Sequence, residues 1–147
     1  FEWSTQEEPH ISRRKELMKE FPEVKVNLGT KNWTLTPLVL GANIVQFSLA
    51  YCLRDSPWWA ILIVAYTIGG IINHGMTLAM HELAHNMASK SMLYNRALGL
   101  LSNIPLGLPS YATFKRYHLE HHKYQGEEGI DVDVPTAWEG TFFVGPL

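Results

Sequence analysis

The sequence runs to 147 residues, the length of one ordinary domain, with 12 Lys and Arg against 14 Asp and Glu and a formal net charge of −2. So even a balance offers no basic patch, which excludes nucleic acid as a partner. The single cysteine, Cys52, excludes an internal disulfide and fits a reducing or membrane setting; lying in an apolar run, it is expected to pack.

A mean hydropathy near zero conceals a segregated pattern. Arg13, Arg14, Lys15, Lys19, Lys25 and Lys31 precede Trp33, whereas Trp33 to Leu53 carries no charge. The first residues are polar and acidic, without the basic-then-apolar order of a cleavable signal peptide. Glu7 to Phe21 predicts a short helix. Pro9 suits its first helical position, and the basic residues from Arg13 to Lys19 sit toward the end where the helix dipole favours cations. Ile11, Leu17, Met18 and Phe21 form an apolar stripe suited to the membrane surface, a solvated helix being the alternative. Pro22 stops this helix, and Val24 to Lys31 reads as a linker.

Trp33 to Leu53 has the roughly 20 residues that a membrane span requires, with Trp33 and Tyr51 placed as interfacial anchors. Pro37, Asn43 and Gln46 interrupt it; polar side chains of this kind can face neighbouring helices. Arg54 to Pro57 reads as a polar turn. Trp58 and Trp59 follow at the same interface, and Ala60 to Ile72 starts a second span that continues through Asn73 and His74 to His81. Basic residues flank the pair on one side, while the intervening turn has only Arg54. The positive-inside rule then places the N-terminus and everything from His81 onward in the cytosol.

At the end of the second span stands HELAH, residues 81 to 85, and HLEHH follows at 118 to 122. Four residues return a helix to nearly the same face, so His81 and His85 can serve one metal ion, as can His118 and His122, with His121 beside them. Imidazole suits zinc, copper, iron and nickel alike. Five histidines nevertheless exceed the three protein ligands of a typical catalytic zinc and point to more than one ion. His74 lies two turns earlier, as a further ligand or as hydrogen-bonded structure. Glu82 and Glu120 adjoin the histidines and could orient them by hydrogen bonds or simply be exposed.

Between the boxes, Met87 to Asn95 reads as a polar connection, and residues 97 to 114 are apolar but too interrupted by Pro105 and Pro109 to span. That stretch is expected to be re-entrant or interfacial and to deliver a helix over KRYHLEHHKY. Tyr111, Phe114, Tyr117 and Tyr124 could seat this helix on headgroups or pack in a core. From Gln125 the chain reads as loop, with Asp131 and Asp133 on one side if that stretch is extended, either as hydrogen-bond partners of ligand histidines or as a plain turn. The expected class is therefore all-α integral membrane: an N-terminal cytosolic or interfacial segment (1–32), a transmembrane helical hairpin (33–80) and a cytosolic His-box region (81–147).

HELAH and HLEHH behind a membrane hairpin resemble the H-x-x-x-H and H-x-x-H-H boxes of the membrane fatty acyl desaturase and hydroxylase superfamily. More closely, NHGMTLAMHELAHN, NIPLGLPSYATFKRYHLEHHKYQG, GIDVDVPT and the opening FEW resemble the sphingolipid 4-desaturases. The resemblance implies two iron ions held by His81, His85, His118, His121 and His122, together with a third box that this sequence lacks. It further implies dioxygen as co-substrate, electrons from NADH through cytochrome b5 and its reductase, and residence in the endoplasmic reticulum membrane. The implied reaction introduces a trans double bond between carbons 4 and 5 of dihydroceramide to give ceramide, with some members also hydroxylating carbon 4. On this reading the chain is the N-terminal part of such an enzyme. Two alternatives stay open: a zinc metalloprotease, since HELAH satisfies HExxH with Glu82 as general base, and a noncatalytic lipid-binding membrane module.

Overall fold

The computed structural model describes residues 9–27, 30–127 and 129–144, all helix or irregular connection. Its helices are α1 (Pro9–Glu20), α2 (Val24–Asn27), α3 (Leu35–Leu53), α4 (Trp58–Val64), α5 (Gly70–Ala84), α6 (Met92–Ser102), α7 (Tyr111–Lys123) and α8 (Ala137–Val144). A π-helical turn, Ala65–Gly69, joins α4 to α5 without a break. The chain divides into two compact units, one spanning Thr30–Lys115 and the other combining Phe1–Gly29 with Arg116–Leu147. The expected helix start at Glu7, the FEW opening and the side chain of Ile11 lie outside the described residues.

In the first unit, α3 and the continuous helix Trp58–Ala84 are long and apolar enough to cross a membrane, with 19 and 27 residues and mean hydropathies of 1.4 and 1.5. Only 11% and 6% of their most apolar stretches are buried, and Ile44, Phe47, Tyr66 and Ile71 point outward. A soluble core helix would bury such a face, so these helices mark membrane association. Pro37 is harmless at the third position of α3, where the backbone N–H has no intrahelical acceptor. Within the pair the polar residues meet: Gln46 Nε2 donates to Asn73 Oδ1 at 2.7 Å. Asn43 Nδ2 donates to Val39 O at 2.8 Å and to Leu101 O at 3.2 Å, tying α3 to α6. Cys52 is exposed on α3 rather than packed.

The buried core lies toward the end of α5. Leu35 and Val39 from α3 pack with Met76, Ala79, Met80 and Leu83 from α5, and Ala88, Leu98 and Tyr111 complete the cluster. Tyr111 is 2% exposed and its hydroxyl donates to Leu83 O at 3.2 Å, so this tyrosine is core and not a headgroup anchor. Gly99 makes that fit; a Cβ there would stand 2.4 Å from the Tyr111 ring. Two buried asparagines hold the backbone that apolar packing cannot. Asn95 accepts from Ala88 N and Ser89 N and donates to Ser89 O and Ser91 O. Asn103 Oδ1 accepts from Ser110 Oγ at 2.9 Å and from Tyr111 N at 3.2 Å, fixing the start of α7.

Three further expectations are corrected. The linker after Pro22 contains the short helix α2, because Phe21 and Pro22 carbonyls accept from Val24 N and Lys25 N and start a new turn. The polar connection after the first box ends early: Ser91 Oγ accepts from Tyr94 N at 3.3 Å and caps α6, which begins at Met92. The tail is not all loop, since α8 follows a reciprocal cap in which Thr136 N donates to Glu139 Oε2 at 2.9 Å and Glu139 N to Thr136 Oγ1 at 3.3 Å. Those Thr136 bonds hold the Glu139 carboxyl below its usual range.

Candidate metal centre

In the unit Thr30–Lys115, His81 and His85 stand one turn apart at the C-terminal end of α5, their ring centroids 5.0 Å apart. Of the three residues between them, Leu83 and Ala84 are fully buried, which fixes the helix face that carries both imidazoles. His85 is the last half-helical residue. Beyond it Asn86 takes a positive φ of 58°, tolerable for asparagine. Asn86 N bonds Leu83 O at 3.0 Å and Met87 N bonds Glu82 O at 3.1 Å, a closure that ends the helix at its second histidine. Lys31 Nζ donates to Asn86 O at 3.0 Å and Lys115 Nζ to Asn86 Oδ1 at 2.7 Å, so two cations cover this helix C-terminus. Burial, and then the nearby Arg96 charge, lower the Lys115 ammonium from its usual range. Glu82 Oε1 lies 3.3 Å from His81 Nδ1, and the Phe114 ring centroid lies 6.4 Å from that of His81. His74 is exposed, earlier on the same helix, and joins no group of prospective ligands among the described residues.

The other unit carries the second box. On α7 the His118 and His122 rings are 4.5 Å apart between centroids, with their Nε2 atoms at 3.1 Å. Two imidazoles bound to one first-row ion at about 2.1 Å and near a right angle would place their nitrogens about 3 Å apart, a spacing this pair already has. His121 stacks beside His118, centroids 6.1 Å apart, and turns its Nδ1 toward Asp131 Oδ1 at 2.8 Å. Asp133 Oδ2 is farther from the same nitrogen, at 3.5 Å.

The aspartates arrive by a turn, not by an extended strand. Asp131 Oδ2 accepts from Gly126 N at 2.8 Å and Oδ1 from Asp133 N at 2.9 Å, which gathers the Gly126 and Asp133 backbone around one carboxylate. Burial pushes the Asp131 carboxyl up, but the Gly126 and Asp133 N–H groups and His121 outweigh it and leave it below the usual range. Glu120 is engaged by Arg116 at 3.5 Å. Asn86, Asn95 and Asn103 do structural work that sequence reasoning missed; only Asn86, an asparagine directly after a helical box, carried a legible signal.

The sequence pattern of the fatty acid desaturase family matches residues 56–143, and that of the sphingolipid Delta4-desaturases matches residues 1–29. The chain belongs to the fatty acid desaturase family. It is 45% identical over 139 residues to a sphingolipid delta(4)-desaturase DES1-like protein of Arabidopsis thaliana, covering 95% of this chain and 42% of that one. A putative sphingolipid delta(4)-desaturase/C4-monooxygenase of Caenorhabditis elegans is 46% identical over 145 residues, 97% of this chain and 40% of the relative. The human sphingolipid delta(4)-desaturase DES1 is 41% identical over 145 residues, 97% of this chain and 45% of its own length. This chain thus spans less than half the length of the curated relatives it matches. No solved structure gave a significant match. Family membership sets aside the zinc-protease reading of HELAH, and the prospective metal donors at the two boxes are imidazoles.

Proposed function

We propose that this chain is the N-terminal, His-box-bearing part of a sphingolipid 4-desaturase that converts dihydroceramide to ceramide by introducing a trans double bond between carbons 4 and 5 of the sphingoid base. The observation that carries this reading is similarity of 41 to 46% over nearly the whole chain to proteins named for that activity, with both His boxes on helices. His81, His85, His118, His121 and His122 would hold two iron ions together with ligands from the C-terminal half of the enzyme. When bound, the irons would supply the oxygen chemistry that removes hydrogen from unactivated carbon, with electrons from NADH through cytochrome b5 and its reductase. The chain's own residues would position the imidazoles, keep them in the right tautomers and place the site beside the bilayer. Carbon-4 hydroxylation would be a second outcome at the same centre.

The helices Leu35–Leu53 and Trp58–Ala84 would form the transmembrane hairpin. At 1.5 Å per residue the second is about 40 Å long, against a hydrocarbon layer of about 30 Å, so its last turns would carry His81 and His85 out of the apolar layer. Positive residues before α3 and after α5 would hold that end in the cytosol, and the enzyme in the endoplasmic reticulum membrane, facing cytochrome b5.

The test is turnover. A form extended with the C-terminal half of the sphingolipid desaturases, assayed on dihydroceramide with NADH, cytochrome b5, its reductase and dioxygen, should yield ceramide. Unchanged dihydroceramide from a well-inserted extended form would refute the assignment.

A further inference from the structure

We propose that Asp131 is a positioning residue that fixes the tautomer of His121, so that His121 offers Nε2 and no other atom to iron. This deepens the metal reading above and rests on it. Asp131 is 4% exposed, and both of its oxygens are engaged: Oδ2 by Gly126 N, Oδ1 by Asp133 N and His121 Nδ1. An ionised carboxylate only accepts hydrogen bonds, so the nitrogen 2.8 Å away must carry the proton. In the neutral imidazole, the form that binds a metal, the other ring nitrogen is then left with a lone pair. This is the arrangement in which a metal-ligating histidine passes its second N–H to a carboxylate, which orients the ring and raises its basicity.

A direct ligand role for Asp131 fits poorly, because its oxygens are already bound by two backbone donors and a ring N–H. Asp133 is the weaker candidate for the orienting role; its carboxylate is largely exposed and lies 3.5 Å from the imidazole. The turn that brings Gly126 N and Asp133 N to Asp131 therefore has a purpose beyond closing the chain. Two backbone N–H groups hold the carboxylate still, and the carboxylate holds the histidine.

The decisive variant is Asp131→Asn in the extended form. With its amide N–H in the place of Oδ1, facing His121, asparagine keeps the bond from Gly126 N and gives up the one from Asp133 N; Nδ1 must then accept and Nε2 take the proton. Nitrogen-15 spectra of the histidines in the metal-free protein should show the bare nitrogen of His121 at Nε2 in the parent and at Nδ1 in the variant. After loading with Fe(II), iron affinity against a competing chelator should fall about ten- to a hundred-fold in Asp131→Asn, with the thermal unfolding midpoint lowered less than in Asp131→Ala. Asp131→Ala should lose affinity and stability together. If Asp131→Asn holds iron as tightly as the parent while Asp131→Ala does not, Asp131 only ties the turn and the proposal is wrong. If the parent itself retains no iron, the metal reading fails, and the role of Asp131 toward iron with it.

Discussion

The two His boxes are anchored by different physics. The first rides on a helix whose last turns are buried among Met76, Ala79, Met80 and Leu83, so apolar packing sets the direction of His81 and His85. The second rides on a helix where only Tyr111 is buried, and its histidine His121 is set by a hydrogen-bonded carboxylate from a turn. Packing resists displacement in every direction but leaves a ring free to choose its tautomer. A carboxylate chooses the tautomer but depends on one short turn. The first box should therefore fail when its core is cut, and the second when a single hydrogen bond is reversed.

The largest effect tests what the boxes share. In the extended form, His85→Ala or His122→Ala should lower ceramide formation more than about a hundred-fold, beyond the cost of a lost outer partner, while membrane insertion is unchanged. Activity near the parent's in either variant would remove that histidine from the proposed ligand set.

The next effect separates the anchors. Leu83→Ala, at a fully buried position between His81 and His85, should cost about 2–5 kcal/mol in unfolding, whereas Leu119→Ala on the exposed side of α7 should stay within about 0.5 kcal/mol. Equal losses would mean that α7 is held by packing as firmly as α5. Gly99→Ala drives a methyl into the Tyr111 ring and should cost about 1–3 kcal/mol. Tyr111→Phe removes only the hydroxyl that reaches Leu83 O and Asn95 O, and a thermal melt should register about 1 kcal/mol. Smallest is Glu82→Gln. Its contact with His81 is 3.3 Å and both side chains are over two-fifths exposed, so ceramide formation should be largely spared. Complete loss would make Glu82 part of the chemistry.

The long apolar helices, the polar turn between them and the four-residue histidine spacings were legible, because each is a local pattern of residue type and period. Capping of α8 was equally local, in the T-x-x-E of residues 136 to 139, but an apolar tail after a Gly- and Pro-rich stretch masked it. Asn95, Gly99 and Asn103 were not legible. A lone asparagine or glycine in an apolar run gains meaning only when the fold brings Tyr111 against it or turns the N–H groups of Ala88 and Ser89 toward its amide oxygen. Asp131 and Asp133 were visible as a pair. An extended strand treats them alike, whereas the turn buries Asp131 against His121 and leaves Asp133 at its rim.

Metal content tests the central claim most directly. The extended form, purified in detergent and analysed for iron and zinc, should hold two irons per polypeptide, and His85→Ala and His122→Ala should each lower that number. One zinc and no iron in the parent, unchanged by either substitution, would contradict the account.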